Sequence, residues 1–293
     1  MHRVIRQVEK KLAEVFNEKI RVLSTGRLGG GCINHALKLE TNIGSFFLKW
    51  NDSCPTDMFR CEAGGLQALN EAANGVLVVP EVICCKAAGH SPGFLVLEYL
   101  DSGASENDAD EQLGRGLAEI HRFRGVNFGF FQNNYCGVTL QNNTPSDSWP
   151  EFYRNNRLGY LLNLIEKKRG LSLVEKKIYE QLLSRIPCLL SADAIPVLIH
   201  GDLWSGNYML TSKGPALIDP AAYYADREME FAIITMFGGF SERFFAAYNE
   251  TLPLPLDWRE RNNLYQLYHI LNHYYLFGGS YGQQALSVAK SYL

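Results

Sequence analysis

The sequence predicts an α+β fold in two lobes: a small β-rich one over residues 1–100 and a larger, mainly helical one over 101–293. Three observations predict it. Between residues 20 and 100 short β-rich runs dominate, with one helical segment inserted. After Asp101 most of the apolar spacing becomes helical. Between the two regimes, LDSGA (100–104) has the composition of a hinge. A chain of 293 residues is long enough for one or two domains.

The elements follow in order. Val4, Val8, Leu12, Val15 and Phe16 recur at helical spacing, so the first segment reads as an amphipathic helix. Strands then flank Gly29, Gly30 and Gly31, and NIG at 42–44 suits a hairpin turn. Thr56 or Asp57 caps a helix through MFRCEAGGLQALNEA, although Gly64 and Gly65 each weaken it by about 1 kcal/mol relative to alanine. A second hairpin follows, turning near His90–Gly93. SENDADEQLGRGLAEIHRF reads as a helix. Residues 127–148, rich in Asn, Gly and aromatics, read as a long surface loop. Residues 149–168 and 171–190 read as helices, and 197–199, 208–211 and 216–218 as short strands. Helices are expected near 228–237, 241–250 and 257–277, with a short one at the end.

Composition excludes several classes. Hydrophobic residues make up 46%, charged residues 20%, and the net charge is −3, so no basic field invites nucleic acid. The seven cysteines are scattered without a CxxC pair, which argues against a disulfide framework or a zinc site and for a reducing compartment. MHRVIRQVEKKLAEVF is charged throughout and unlike a signal peptide. LYQLYHILNHYYLFGG is too short and too polar to span a bilayer. The expectation is a soluble cytoplasmic protein, monomer or homodimer, with neither nucleic acid nor membrane as partner.

The stretch VLIHGDLWSGNYMLTSKGPALIDPA (197–221) carries the chemistry. Asp202 follows a short buried strand on a glycine-flanked loop. A strand–turn–strand then delivers Asp219 back to the same place, with Asn207 between them. Phosphoryl transfer needs such a set. One acid accepts the proton of the attacking hydroxyl, while an amide and a second acid hold Mg²⁺ against nucleotide phosphates. The D-x4-N…D spacing is that of kinases, with HGD replacing HRD and DPA replacing DFG. These changes remove the partner of a phosphorylated activation loop and the switch found in protein kinases.

The remaining parts occur in matching order. Lys49 ends the run SFFLK, where a kinase lysine holds the α- and β-phosphates of ATP, and Glu62 on the next helix is its partner. Gly29, Gly30 and Gly31 let backbone N–H groups approach phosphate. LVLEYLD fits a hinge strand whose backbone at Glu98, Tyr99 and Leu100 meets adenine. Neither a Walker loop nor GxGxxG is present.

LGGGCINHA, HGDLWSGN, DPAAYYADREMEFAI, MFGGFSERFFAAYNE and YQLYHILNHYYLFG together resemble the fructosamine kinase (ketosamine-3-kinase) family. The resemblance spans nearly the whole chain and is weakest over 126–148. It implies a protein-kinase-like fold related to aminoglycoside phosphotransferases. The implied enzyme uses ATP and Mg²⁺ to phosphorylate the 3-hydroxyl of a fructosamine or ribulosamine, free or on a glycated protein, which leads to deglycation. It further implies Asp202 as base, Asn207 and Asp219 as metal ligands, and Lys49 with Glu62 as the phosphate-holding pair. YYADRE at 223–228 departs from the commoner YYGHRE, so the roles of Asp226 and Arg227 at the substrate stay open.

Trp204 offers a flat face for a sugar or packs between the lobes. His273 lies on an aromatic helix, and the resemblance places it near the substrate. Tyr223 and Tyr224 line the pocket or pack the loop, and Glu228 and Glu230 lie at a helix start, where acids favour the macrodipole. Cys32, after the three glycines, is a redox candidate. Two other classes stay open: a kinase of choline, an aminoglycoside or a thiosugar, and a non-catalytic nucleotide-binding module.

Overall fold

The computed structural model describes residues 1–29, 34–89, 91–103 and 108–293. It opens with helix α1 (His2–Phe16), which buries Val4, Val8 and Leu12 along one stripe and ends where Asn17 turns left-handed at φ 54°. Strands β1 (Val22–Arg27), β2 (His35–Thr41) and β3 (Gly44–Asn51) come next, then helix α2 (Met58–Ala73), then β4 (Val82–Lys86) and β5 (Gly93–Glu98). The five strands form one antiparallel sheet in the order β1-β2-β3-β5-β4.

The two-residue period of β3 decides what each sheet face does. Phe46, Leu48 and Trp50 join Phe94 and Val96 in a small core under α1. Phe47 and Lys49 point the other way, and on that face Leu95 and Leu97 enter the main core. Lys49 is therefore delivered to the side shared with α2 and the C-terminal half. Gly64 explains itself on this side of α2. A Cβ there would lie 2.9 Å from the Phe131 ring, so the residue that weakens the helix also lets it pack closely.

The C-terminal half begins with α3 (Ala109–Ile120), β6 (Asn134–Cys136) and β7 (Thr139–Gln141). Helix α4 (Trp149–Phe152) runs through a π-helical stretch, Tyr153–Gly159, into α5 (Tyr160–Arg169), and α6 (Leu173–Leu189) follows behind a Ser172–Glu175 capping box. The short strands β8 (Val197–Ile199), β9 (Tyr208–Thr211), β10 (Gly214–Leu217) and β11 (Tyr223–Ala225) form two antiparallel pairs, β9 with β10 and β8 with β11. Helices α7 (Glu228–Phe237), α8 (Glu242–Thr251), α9 (Trp258–Phe277) and α10 (Tyr281–Ser291) complete the chain. This is the small-sheet and large-helical arrangement expected of a protein-kinase-like fold. The halves are not insulated. The main core runs from Phe59 to Ala289, and Lys213 reaches across to Glu98 at 2.7 Å.

Two expectations need correction. The third short strand starts at Gly214 rather than 216 and ends at Leu217, and β11 was not foreseen. Residues 127–148 are not a surface loop. Phe128, Phe130, Asn134, Cys136, Thr139, Gln141 and Asn143 are all buried. Their amides satisfy one another, which is what makes their burial tolerable. The Gln141 and Asn143 amides both donate to Asn134 Oδ1, at 2.9 and 2.7 Å, while the Asn134 amide donates to the Ala222 carbonyl at 2.7 Å. The polar composition that suggested solvent describes an internal network instead.

Candidate active site

The loop after β8 is held from below by Glu230, a fully buried carboxylate on α7. Its Oε1 accepts the Gly201 N–H at 3.0 Å and its Oε2 accepts the His200 N–H. Next in the chain, the His200 ring joins the two acid-bearing segments. Nδ1 accepts the Asp202 N–H at 3.3 Å, and Nε2 bonds the Ile218 carbonyl at 2.9 Å, one residue before Asp219. That pattern requires a neutral imidazole protonated on Nε2, and burial lowers the His200 pKa accordingly. Gly201 makes the close approach possible. It sits at φ 81°, and a Cβ there would stand 2.3 Å from the Ala221 carbonyl oxygen.

The β9–β10 hairpin sets the second half. Tyr208 pairs with Leu217, and the Ile218 N–H donates to the Asn207 carbonyl at 3.0 Å. Asp219 follows in the left-handed region at φ 55°, a conformation open to Asp. Asn207 Nδ2 donates to the Asp202 backbone carbonyl at 2.8 Å and to its carboxylate at 3.2 Å. This fixes the amide so that Oδ1, with no donor among the described residues, is left for a ligand.

Lys49 arrives from the sheet. Its ammonium lies 2.9 Å from Glu62 Oε1 and 2.9 Å from Asp219 Oδ1, joining β3, α2 and the hairpin. Burial disfavours the charged lysine, but Glu62 and Asp219 overcome that and hold its pKa above the ordinary value. Burial pushes the Glu62 carboxyl up while Lys49 pulls it back. Asp202 is pushed up to about 8, first by burial and then by the charges of Asp219 and Glu230, against the opposing pull of Asn207 and Lys49.

These groups face one cavity of about 300 Å³, lined by Gly29, Lys49, Glu62, Asp202, Asn207 and Asp219 among others. With Trp204, the structure thus brings together seven of the residues singled out in the sequence. Trp204 lines the same cavity, 39% exposed, with its ring 6.1 Å from that of Phe237. His273 stands one aromatic ring farther out, 5.5 Å from Phe237, with Nδ1 bonded to the His269 carbonyl. Glu98, Tyr99 and Leu100 follow at the end of β5. The Glu98 N–H is taken by the Glu81 carbonyl and its carboxylate by Lys213. Gly30, Gly31 and Cys32 lie outside the described residues.

Asp226 and Arg227 face elsewhere. Asp226 accepts from Tyr265 at 2.9 Å, and Arg227 donates to the Leu252 carbonyl at 2.8 Å, so both brace the C-terminal helices. Tyr223 is buried with its ring 3.9 Å from the Arg157 guanidinium. Glu228 pairs with Arg261 at 2.8 Å. Sequence reading missed Glu230 as the holder of the HGD loop, His200 as its bridge, and Asn134, Tyr135 and Gly137 as part of the cavity wall. Only the histidine carried a usable signal, through its place immediately before Gly201 and Asp202.

The profile of the fructosamine kinase family matches residues 4–293. The chain belongs to the fructosamine kinase family. A protein-ribulosamine 3-kinase of Arabidopsis thaliana is 38% identical over 279 residues, covering 93% of this chain and 83% of that one. A crystal structure from Haemophilus somnus, named for fructosamine-3-kinase, superposes with a TM-score of 0.86 at 26% identity over 99% of both chains. The aminoglycoside phosphotransferase APH(4)-Ia, at TM-score 0.64 and 16% identity over 97% of this chain and 98% of that one, shares the fold. In this fructosamine kinase family member the cavity between sheet and hairpin is therefore the candidate active site.

Proposed function

We propose that this fructosamine kinase family member transfers the γ-phosphoryl group of ATP to the 3-hydroxyl of a ketosamine, a fructosamine or ribulosamine, free or protein-bound. The observation that carries this reading is the position of Lys49. It bonds Glu62 and Asp219 at once, in the cavity that also holds Asp202 and Asn207. Asp202 accepts the proton of the attacking hydroxyl, and its raised pKa suits a base working near neutrality. Lys49 holds nucleotide phosphates, with Gly29 beside it. Trp204 supplies a face for the sugar, and His273 supports that face from behind through Phe237.

The donor set fits Mg²⁺. Asn207 Oδ1 and the Asp219 carboxylate are hard oxygens, and this ion takes one or two carboxylates plus phosphate oxygens and water. When bound, Mg²⁺ neutralises charge on the phosphates. Asn207 and Asp219 would hold it, and Lys49 keeps the Asp219 carboxylate oriented.

Among the described residues no helix is long and apolar enough to cross a membrane, and six cysteines are free. The free cysteines support a reducing compartment. We assign residues 1–100 to nucleotide binding and 101–293 to catalysis and acceptor binding. The test is ADP release with ATP, Mg²⁺ and a panel of synthetic ketosamines and simple alcohols, with the phosphate position determined by NMR. Turnover of ketosamines at the 3-hydroxyl is expected. Turnover of choline or an aminoglycoside alone would overturn the substrate assignment, and no turnover at all would favour a binding module.

A further inference from the structure

Beside the candidate base three side chains of different chemistry converge: the thiol of Cys136 on β6, the imidazole of His269 on α9 and the carboxylate of Asp202. One ligand atom from each lies within 4.8 Å of the other two. Cys136 is 4% exposed and His269 1%, while Asp202 opens onto the cavity. We propose that Cys136, His269 and Asp202 form a binding site for a thiophilic divalent cation of the zinc class, whose occupation withdraws Asp202 from phosphoryl transfer.

The donors select the ion. Sulfur, nitrogen and a single carboxylate suit borderline-soft Zn²⁺, whereas Mg²⁺ prefers the all-oxygen pair Asn207 and Asp219. Zinc bonds of about 2.3 Å to sulfur and about 2.0–2.2 Å to nitrogen and oxygen place tetrahedral neighbours roughly 3.3–3.7 Å apart. From a spacing within 4.8 Å, the three side chains therefore need to close by at most about 1–1.5 Å. Asp202 lines the cavity, so water can reach the ion there to complete the shell.

The surroundings point the same way. His269 is almost wholly buried on α9, 1% exposed. Burial, with His273 and Arg157 adding to it, keeps that ring neutral down to about pH 3, so its lone pair is available to a cation. Asn272 Nδ2 donates to Cys136 Sγ at 3.3 Å, and Thr139 donates to Asn272 Oδ1, which fixes the amide with its NH₂ toward the sulfur. Such an outer-shell donor stabilises a metal-bound thiolate. Binding releases the Cys136 proton to solvent, together with the Asp202 proton where that carboxyl is protonated, and requires no oxidant.

The inhibitory half of this proposal rests on Asp202 being the base; the metal-binding half does not. The full chain, freed of metal and kept reduced, is titrated with Zn²⁺ by calorimetry and with Co²⁺ by absorption. One ion per chain and a thiolate-to-cobalt charge-transfer band are expected. Cys136→Ser and His269→Gln should lose the band or weaken Zn²⁺ binding by at least about 10–100-fold, the range for outer-shell partners. Zn²⁺ should abolish ketosamine turnover of the parent, a chelator should restore it, and Cys136→Ser should need correspondingly more Zn²⁺. Equal Zn²⁺ affinity in parent and both variants overturns the site. So does inhibition relieved by excess Mg²⁺ without a cobalt band, which would place the ion at Asn207 and Asp219. If no ketosamine is turned over, stoichiometry and band still decide the metal site, so the two failures are separable.

Discussion

Asp202→Asn should cripple the enzyme and stabilise the fold at the same time. The carboxyl stands at about 8 in the folded chain against an ordinary 3.8, because it is sequestered near Asp219 and Glu230. Each pH unit of that gap is worth about 1.4 kcal/mol, so a fully sequestered carboxylate would destabilise the fold by roughly 5–6 kcal/mol at pH 9. Asp202 is only half-buried, and solvent reduces the effect to ~2–3 kcal/mol. The sign follows from proton binding. Between 3.8 and 8 the folded chain holds a proton that the unfolded chain has lost, so stability falls as pH rises through this window and levels off above it.

Asparagine removes the charge while keeping an oxygen for the Asn207 amide. The assay is thermal unfolding of nucleotide-free, metal-free protein at intervals from pH 5 to 9. At roughly 2 °C per kcal/mol for a chain of this size, the variant should melt about 4–6 °C above the parent at pH 9. The advantage should shrink steadily toward pH 5. In the presence of Mg·ATP and ketosamine, kcat should fall about 10²–10⁴-fold, the contribution of general base catalysis. A melting difference that is negative, or that does not vary with pH, would refute the electrostatic account of this site.

Three further outcomes are expected. Gly201→Ala forces a side chain into positive φ and to 2.3 Å from the Ala221 oxygen; it should cost at least ~1–3 kcal/mol by urea unfolding and lower kcat about 10²-fold. Glu230→Gln leaves one of two buried backbone donors without an acceptor, so it should destabilise by ~1–3 kcal/mol and lower kcat with little change in the KM for ATP. His269→Gln should flatten acid sensitivity. Burial keeps His269 neutral in the folded chain while the unfolded ring charges below about 6.5, so the parent loses about 1.4 kcal/mol per pH unit that the variant retains, read by urea unfolding at pH 7.5 and 5.

Much of the candidate site was legible because its parts are short-range. Lys49 was marked by its place at the end of SFFLK, one helix before Glu62, and the alternation of β3 then sets its face in the structure. The turn between 211 and 214 returned Asp219 to Asn207 by hairpin register alone. Gly201 announced a tight approach by its type. The stretch 127–148 failed for an equally physical reason. Asn and Gln read as solvent-facing by composition, and their burial is stabilised only when Asn134, Gln141 and Asn143 meet one another and the Ala222 carbonyl.

By itself the sequence determined the order of elements, the spacing of Asp202, Asn207 and Asp219, and the pairing partners that local geometry enforces. Tertiary structure alone decided that Glu230, 29 residues beyond Gly201, would hold the loop that bears Asp202, and that Thr139 would hold Asn272 across 133 residues. It also decided that Cys136 and His269 would meet Asp202. Backbone preferences and hydrophobic period act over a few residues, whereas convergence of distant polar groups depends on how a shared core packs and on which buried donors find acceptors there.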